Sequence, residues 1–446
     1  MTSRGRSASA SRTPSEPRRA HSCYSKDWGM TLSCPFFLTV KNISPRADSP
    51  GMLLRHPSFP RLWSVWLMAN VCMWMSDVAA AWLMTSLTDS KLMVAMIQTC
   101  TTLPVFLLAL PGGAIADIVD RRSGFLAAQC WTALAAAILA AAAWQGALSA
   151  PLLLVLTFAA SMATALRWPV YSAIVPEVVT AEALPTAIVL NGMAVNASRV
   201  LGPLLAGAII AWLGGAWVFA LTAALSLASA AMLWRWRYEP QTPPSSTGSL
   251  GAAMTQGIAF ARQSRPLQAV LAWSVGYFMS ATALVALLPL IARAHDADGA
   301  GGARIYAVLF ACLGCGAIGV GFMLHVFRRR WSEHGVIVAG SVLLALCIAC
   351  MALSRHAWLS AAVMLVAGAA WLAVGNTLSI AAQFALPPQL RARGMSLFLM
   401  AVMAGGAGGA ALFGAAADWL GLRPALFALS ATGIALCVLL GRRYRI

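Results

Sequence analysis

One acidic side chain in this sequence lies deep inside a long apolar stretch, where it could bind and release a proton. Asp77 follows Trp74-Met-Ser76 in the middle or outer half of the first such stretch. A permanent charge is costly in hydrocarbon, and a carboxyl group can avoid that cost by taking up a proton. Two interpretations stay open: Asp77 carries a transported proton, or it is simply paired with an arginine.

Two arginines in later apolar stretches are candidate electrostatic counterparts of Asp77. Arg167 precedes Trp168-Pro169, and the proline interrupts the helix because it has no N–H to donate. Arg167 could be the buried partner of Asp77, contact an anionic substrate, or lie near a helix end and snorkel to the surface. We predict proton coupling by Asp77, with Arg167 or Arg199 as its counterpart.

Amide and indole side chains inside the apolar stretches are candidate substrate ligands, because a polar group in a membrane span is costly and is therefore a candidate site. The predicted substrate-binding residues are Asn70, Gln98, Asn191, Asn376, Trp74 and Trp371. The amides could instead bridge neighbouring helices, and most tryptophans of the spans are expected to pack or to lie at the membrane surface. Walls rich in tryptophan and methionine favour a large, mixed ligand over an ion.

A charged segment separates the second and third apolar stretches. Acids and arginines cannot lie in hydrocarbon, so the segment marks a membrane surface. It could be a turn that only sets topology, or an ion-paired latch that breaks when helices move, with carboxylates that pair with arginines or cap a helix. The residues of this predicted gate latch are Gly113, Asp117, Asp120, Arg121 and Arg122.

The composition requires a membrane to hold these residues in place. The 446-residue chain is 60% hydrophobic and only 10% charged, far from a soluble globular protein. Its net charge of +17 does not indicate nucleic-acid binding, since the arginines are dispersed at the ends of apolar stretches. None of the three lysines follows a glycine, so a Walker A sequence is absent. The Cys-x-x-Cys pairs at 312–315 and 347–350 lie inside apolar stretches without a histidine, so we predict packing and neither metal nor cofactor.

Twelve membrane spans are predicted, which makes the fold an all-α polytopic membrane protein. They cover residues 62–87, 92–115, 124–146, 150–175, 187–213, 216–236, 267–292, 304–327, 335–354, 357–384, 394–417 and 423–441. Residues 1–54 are predicted to be a disordered basic tail, with Met52 as an alternative start. Two six-helix bundles, 55–236 and 267–446, are joined by a cytoplasmic linker, 237–266, in which residues 251–262 could form an interfacial helix.

The chain also contains an internal repeat with a constant offset of about 207 residues. Gly202 and Gly207 fall on Gly409 and Gly414, and Trp212-Leu-Gly214 falls on Trp419-Leu-Gly421. Arg121 and Arg122 likewise fall on Arg328 and Arg329, but both acids of the charged segment are lost in the second copy. Six spans repeated in the same orientation predict two parallel-repeat six-helix bundles.

The charged segment, with its glycine, aspartate and arginines, resembles the loop motif of the major facilitator superfamily. Gly202-Pro203-x-x-x-Gly207 resembles the antiporter motif of exporting members, although Ala206 replaces its usual glycine. Further stretches are similar to the transmembrane secretion effector branch, which includes the enterobactin exporter and macrolide efflux proteins. These stretches are Trp74-Met-x-x-Asp77, Arg167-Trp-Pro-Val-Tyr-Ser-Ala-Ile-Val-Pro-Glu177, Leu184-Pro-x-Ala-Ile-x-Leu-Asn-Gly192, Ser198-Arg-Val-Leu-Gly-Pro203 and Arg391-x-Arg-Gly-Met-Ser-Leu397.

The resemblance implies a proton-coupled exporter of siderophores or hydrophobic drug-like molecules in the bacterial inner membrane, and no enzyme. Arginines concentrate on the side of both termini, which the positive-inside rule makes cytoplasmic. We expect a monomer whose partners are a small-molecule substrate, protons and the lipid bilayer, without nucleic acid. The alternatives are a flippase for lysophospholipid or another amphiphile, and a membrane sensor that transports nothing.

Overall fold

Twelve long helices make up the fold. The computed structural model describes residues 53, 58–109, 120–180, 182–236, 258–296, 301–387 and 390–444, and only the backbone of 322–330 and 392. Within these residues the long helices are α1 (Phe59–Leu87), α2 (Lys91–Leu108), α3 (Arg121–Trp144), α4 (Ala150–Val178), α5 (Leu184–Leu213), α6 (Gly215–Arg235), α7 (Arg265–Ala294), α8 (Gly302–Arg330), α9 (Glu333–Leu353), α10 (Ala357–Phe384), α11 (Arg391–Leu420) and α12 (Leu422–Arg443).

All twelve helices are long and apolar enough to cross a membrane, which confirms the predicted number and order of spans. Serines begin several of them: the Ser90 hydroxyl accepts a hydrogen bond from the Met93 N–H, and Ser149, Ser264 and Ser332 cap α4, α7 and α9 similarly. The predicted tail, apart from Leu53, and most of the linker lie outside the described residues. Of the predicted interfacial helix, residues 258–262 are helical.

Each half of the chain pairs its helices in the same way. In the first half α1 packs on α5, α2 on α4 and α3 on α6; in the second, α7 packs on α11, α8 on α10 and α9 on α12. These are the same pairs shifted by six helices. The predicted parallel repeat is therefore present in the helix packing as well as in the sequence.

The repeated turns have the same backbone conformation. Gly214 ends α5 with φ +95°, and Gly421 ends α11 with φ +92°, in the left-handed region that glycine adopts without strain. The tryptophans two residues before them, Trp212 and Trp419, are 77% and 92% exposed. Exposed tryptophans at helix ends are typical of membrane–water interfaces.

The two halves meet chiefly through two helix pairs, α2 with α11 and α5 with α8. The repeated glycines allow this close packing. Gly202 packs against Trp74 of α1 and Gly409 against the Met279 backbone of α7, both within one half. Gly207 packs against α8 and Gly414 against α2, both across the halves. A side chain at any of these positions would clash with the facing helix.

Candidate functional site

A narrow cavity lies between the halves, and Asp77 is in its wall. The cavity has room for about one water molecule, so the passage between the halves is closed here. Its polar walls come from α1 and α2, and its aromatic walls come from α1 and α8. The polar and aromatic residues of the wall are Trp74, Asp77, Gln98, Thr101, Tyr306 and Phe310.

Asp77 lies ten residues before the end of α1, roughly 15 Å along the helix axis from that end. Gln98 faces the same cavity from α2 and donates to the Thr101 hydroxyl over 3.1 Å. Trp74 lies one helical turn from Asp77 and packs against Phe310 of the other half, with 5.7 Å between ring centroids. The structure therefore brings together three predicted site residues, Asp77, Gln98 and Trp74.

Arg167 is buried, at 2% exposure, rather than snorkelling to the surface. It donates to the Ala69 carbonyl oxygen over 3.3 Å, contacts the Met73 sulfur, and lies 5.8 Å from the centroid of the Trp66 ring. Within the described residues no arginine lies within 4.0 Å of the Asp77 carboxylate. Arg167 and Asp77 therefore share the interior of the first half without forming an ion pair in this conformation.

Arg199 lies closer to the cavity, with its guanidinium 5.4 Å from the centroid of the Trp74 ring. Its own backbone faces Gly314 of α8, so Arg199 also lies at the boundary between the halves. A cation over an indole face is stabilised by the ring quadrupole. Arg199 thus contacts Trp74, which lies about one helical turn from Asp77 along α1.

Four predicted substrate ligands lie outside the cavity wall. Asn70 is fully buried and donates to the Trp66 carbonyl oxygen of its own helix over 2.7 Å. The Asn191 side-chain oxygen accepts from the Tyr171 hydroxyl over 2.5 Å. These two amides thus have packing contacts in this conformation. Trp371, on the same helix as Asn376, packs edge-on against Phe278 in the second half. Their substrate roles stay predictions.

The predicted gate latch is described in part, since Gly113 and Asp117 lie outside the described residues. Asp120 caps α3, accepting from the Ser123 N–H over 2.9 Å, which is one of the two contacts expected of these carboxylates. Arg121 forms an ion pair with Glu177 at the end of α4. Arg122 donates to the last carbonyl oxygens of α6, over 3.0 Å to Leu233. These contacts join helices of one half.

Glu177 is a functional candidate that belongs to a stretch similar to the secretion effector branch, but the sequence alone assigned it no role. It lies at the end of α4, on the same side of the molecule as the start of α3. This shared side was the signal by which the sequence could have paired Glu177 with an arginine of α3.

The antiporter-motif residues Gly202 and Gly207 pack on α1 and α8, with Pro203 buried between them. Within the described part of the chain no cluster of three or more His, Cys, Asp or Glu side chains could hold a metal.

Comparisons with known proteins agree with this architecture. The sequence profile of the transmembrane secretion effector family matches residues 49–446. The chain is similar in structure to a mutant of the nucleoside transporter NupG, with a TM-score of 0.74 and 12% identity over 87% of this chain and 100% of that one. It is also similar to an inward-facing bacterial homologue of the human lysosomal transporter Spinster, with a TM-score of 0.67 and 16% identity over 86% of this chain and 96% of that one.

A POT family transporter in complex with 5-aminolevulinic acid superposes with a TM-score of 0.67 and 14% identity over 84% of this chain and 94% of that one. At these identities the likenesses show the fold alone. None of the curated proteins compared with the chain matches it. The match to the secretion effector family covers almost all of the chain and both helix bundles. The chain therefore belongs to the transmembrane secretion effector family of major facilitator transporters.

Proposed function

We propose that this transporter exports a siderophore or a hydrophobic drug-like molecule by alternating access, driven by protons. The observation that carries the proposal is the position of Asp77 in a cavity built by both halves. A protonatable group whose surroundings come from two moving bodies changes its environment whenever they separate. Its proton affinity and the conformation are then linked, and linkage is reciprocal.

The transport cycle follows from the contacts between the halves. Here α2 with α11 and α5 with α8 hold the halves together, and Asp418 near the end of α11 contacts the start of α2. The halves are therefore joined on the side opposite the termini. Separation at those helix ends would expose Asp77 to that side and load a proton. Closure would return Asp77 to the cavity beside Trp74 and Arg199, where substrate and proton compete.

The aromatic walls support an apolar or aromatic substrate. Trp74, Tyr306 and Phe310 face the cavity from both halves, and Gln98 offers an uncharged polar group. Such a site binds an apolar body through the rings and orients it through a few polar contacts. We propose Gln98 and Trp74 as the first substrate contacts, and Asn376 and Trp371 as contacts that form when the halves separate.

The proposed location is the bacterial inner membrane with both termini in the cytoplasm. The arginines near the termini side outnumber those on the opposite side, and Arg121 and Arg122 lie at the start of α3 on the termini side. An excess of arginine in short loops is typical of cytoplasmic loops. With this orientation, proton loading takes place from the periplasmic side.

Substrate-induced proton release in proteoliposomes tests the proposal with a panel of siderophores and hydrophobic drugs. We expect release by wild type, partial release by Asp77→Glu, and none by Asp77→Asn, which should retain only exchange down a gradient. Glu182→Gln, which changes an exposed acid outside the cavity, is the matched control. Uphill pumping by Asp77→Asn with unchanged pH dependence would remove Asp77 from the mechanism. Lysophospholipid movement without proton release would favour a flippase, and no movement of any ligand would favour a sensor.

A further inference from the structure

A second cavity lies inside the second half, where α7, α9 and α12 meet, away from the cavity that contains Asp77. Hydroxyl groups of Tyr277, Ser280 and Ser341 line it, together with Gly433 and Cys437 of α12. The rest of its wall is apolar. A hydroxyl group buried inside an apolar bundle needs a hydrogen-bond partner nearby.

Two of these hydroxyl groups have no hydrogen-bond partner in the described structure. The Tyr277 and Ser280 side chains are each 4% exposed, and neither hydroxyl oxygen makes a hydrogen bond. Ser341 differs, since its hydroxyl donates to the Ile337 carbonyl oxygen over 2.7 Å and keeps only acceptor capacity. A buried hydroxyl without a partner is destabilising, and most buried polar groups in proteins bond to another protein group or to ordered water.

The size of the cavity fits a single small ligand, because it has room for about one water molecule. We propose that this cavity binds one ordered water molecule, which bridges Tyr277 and Ser280 of α7 to Ser341 of α9. The water accepts a hydrogen bond from the Tyr277 hydroxyl, exchanges one with Ser280, and donates one to the Ser341 oxygen. This arrangement satisfies every hydroxyl group in the wall and gives the water three partners.

The internal repeat supports the site from the other half. The offset of 207 residues places Trp273 on Trp66, two fully buried tryptophans, and it places Gly433 on Ser226. A Cβ atom at Gly433 would lie 3.3 Å from the Ser280 oxygen. The second half thus has a glycine and an open space where the first half has a hydroxyl side chain.

Two aromatic contacts connect the water site to Trp371, a proposed substrate contact. The Tyr277 ring packs edge-on against Phe278, with 5.4 Å between centroids, and Phe278 packs against Trp371. A bound water would fix the Tyr277 ring behind these aromatic side chains. It would also tie α7, which packs on α11, to α9 through hydrogen bonds.

Thermal unfolding of the full-length protein in detergent tests the proposal, since a hydrated and a dry cavity predict opposite signs. With water present, Tyr277→Phe and Ser280→Ala remove a made hydrogen bond and should lower Tm by about 1–2 °C each. In a dry cavity the same changes remove an unsatisfied group, so Tm should stay or rise. Ser274→Ala calibrates the loss of one satisfied hydroxyl in α7, because Ser274 donates to Val270 within the helix.

A second pair of variants keeps the test independent of steric strain at the glycine. Gly433→Ala should displace the water and lower Tm, while Gly433→Ser brings its own hydroxyl and should recover part of the loss. Both introduce the same Cβ atom, so their difference reports the hydroxyl alone. Equal Tm values for these two variants, or a rise in Tm with Tyr277→Phe, would overturn the proposal. So would a structure with resolved waters in which the cavity is empty.

Discussion

Removal of the Asp418 carboxylate should release the side of the molecule opposite the termini. One Asp418 oxygen accepts from the Lys91 N–H over 2.5 Å, and the other accepts from the Ser90 hydroxyl over 2.7 Å. Asp418 belongs to α11 of the second half, but it caps the start of α2 in the first. Separation of the halves on this side therefore leaves α2 without this cap.

The contribution of this cap can be worked out from its chemistry. A helix cap contributes about 1 kcal/mol, and a carboxylate near a helix N-terminus adds roughly 0.3–1 kcal/mol. Because the contact exists only when the halves are closed, Asp418→Ala should raise the open-to-closed ratio by about 9- to 30-fold. Asp418→Asn keeps an acceptor oxygen and loses only the charge, so its shift should be roughly 2- to 5-fold.

The chain supplies a matched control at the corresponding end of α8. Asp296 accepts from the Gly301 and Gly302 N–H groups over 3.1 and 2.7 Å, so α8 is capped from within its own half. Asp296→Ala should weaken α8 in both conformations alike and leave the ratio unchanged.

Distances between spin labels at exposed positions on the two halves measure this ratio. Labels at Ser86 and Arg355 in a background without native cysteines would report the separation by double electron–electron resonance. An Asp418→Ala distribution equal to wild type would refute the reasoning. An equal shift with Asp296→Ala would show that loss of any cap, rather than the contact between halves, causes the opening.

Two further predictions concern groups near helix ends. Burial lowers the pKa of His295, whose ring forms a hydrogen bond with the Ser360 hydroxyl over 2.8 Å. The folded state therefore favours the neutral form of His295. The contribution of this histidine to folding stability is lost as pH falls below about 6.5, where the unfolded chain takes up the proton more readily. Tm should therefore fall less steeply between pH 7.5 and 5 for His295→Gln than for wild type; parallel curves would contradict this. The ion pair between Arg121 and Glu177, which are both partly buried, should show a coupling free energy of roughly 1 kcal/mol in a double-mutant cycle of unfolding, and additive single effects would exclude it.

The sequence was sufficient to predict the fold because hydropathy reports burial in lipid directly. Twelve apolar stretches became twelve helices, and the matched glycines at 202, 207, 409 and 414 became close helix contacts. Boundaries differ by a few residues, as for the first span, predicted from residue 62 and observed from Phe59. Proline at the second position and a polar residue before it extend this helix into the surface region.

The site was less accessible to sequence reasoning, because its contacts join distant parts of the chain. Asp77 and Gln98 line one cavity, yet the Asn70 side-chain N–H donates within its own helix, which no residue type reveals. Asp418 was not considered, since its partners lie more than three hundred residues away. Its role depends on which helix ends meet across the halves, and the single sequence does not report that.

The helices against which the repeated glycines pack have a consequence for how the two halves are assembled. In each copy the first glycine packs on its own bundle and the second on the opposite one, so α5 meets α8 as α11 meets α2. This is the geometry of an isologous dimer, in which one surface patch is complementary to itself. A single six-helix unit would already carry both members of the interface. When two copies are covalently linked, a residue at one of the two equivalent contacts can change without the same change at the other. A homodimer does not permit this, because both subunits share one sequence. The Asp418 contact is one such change.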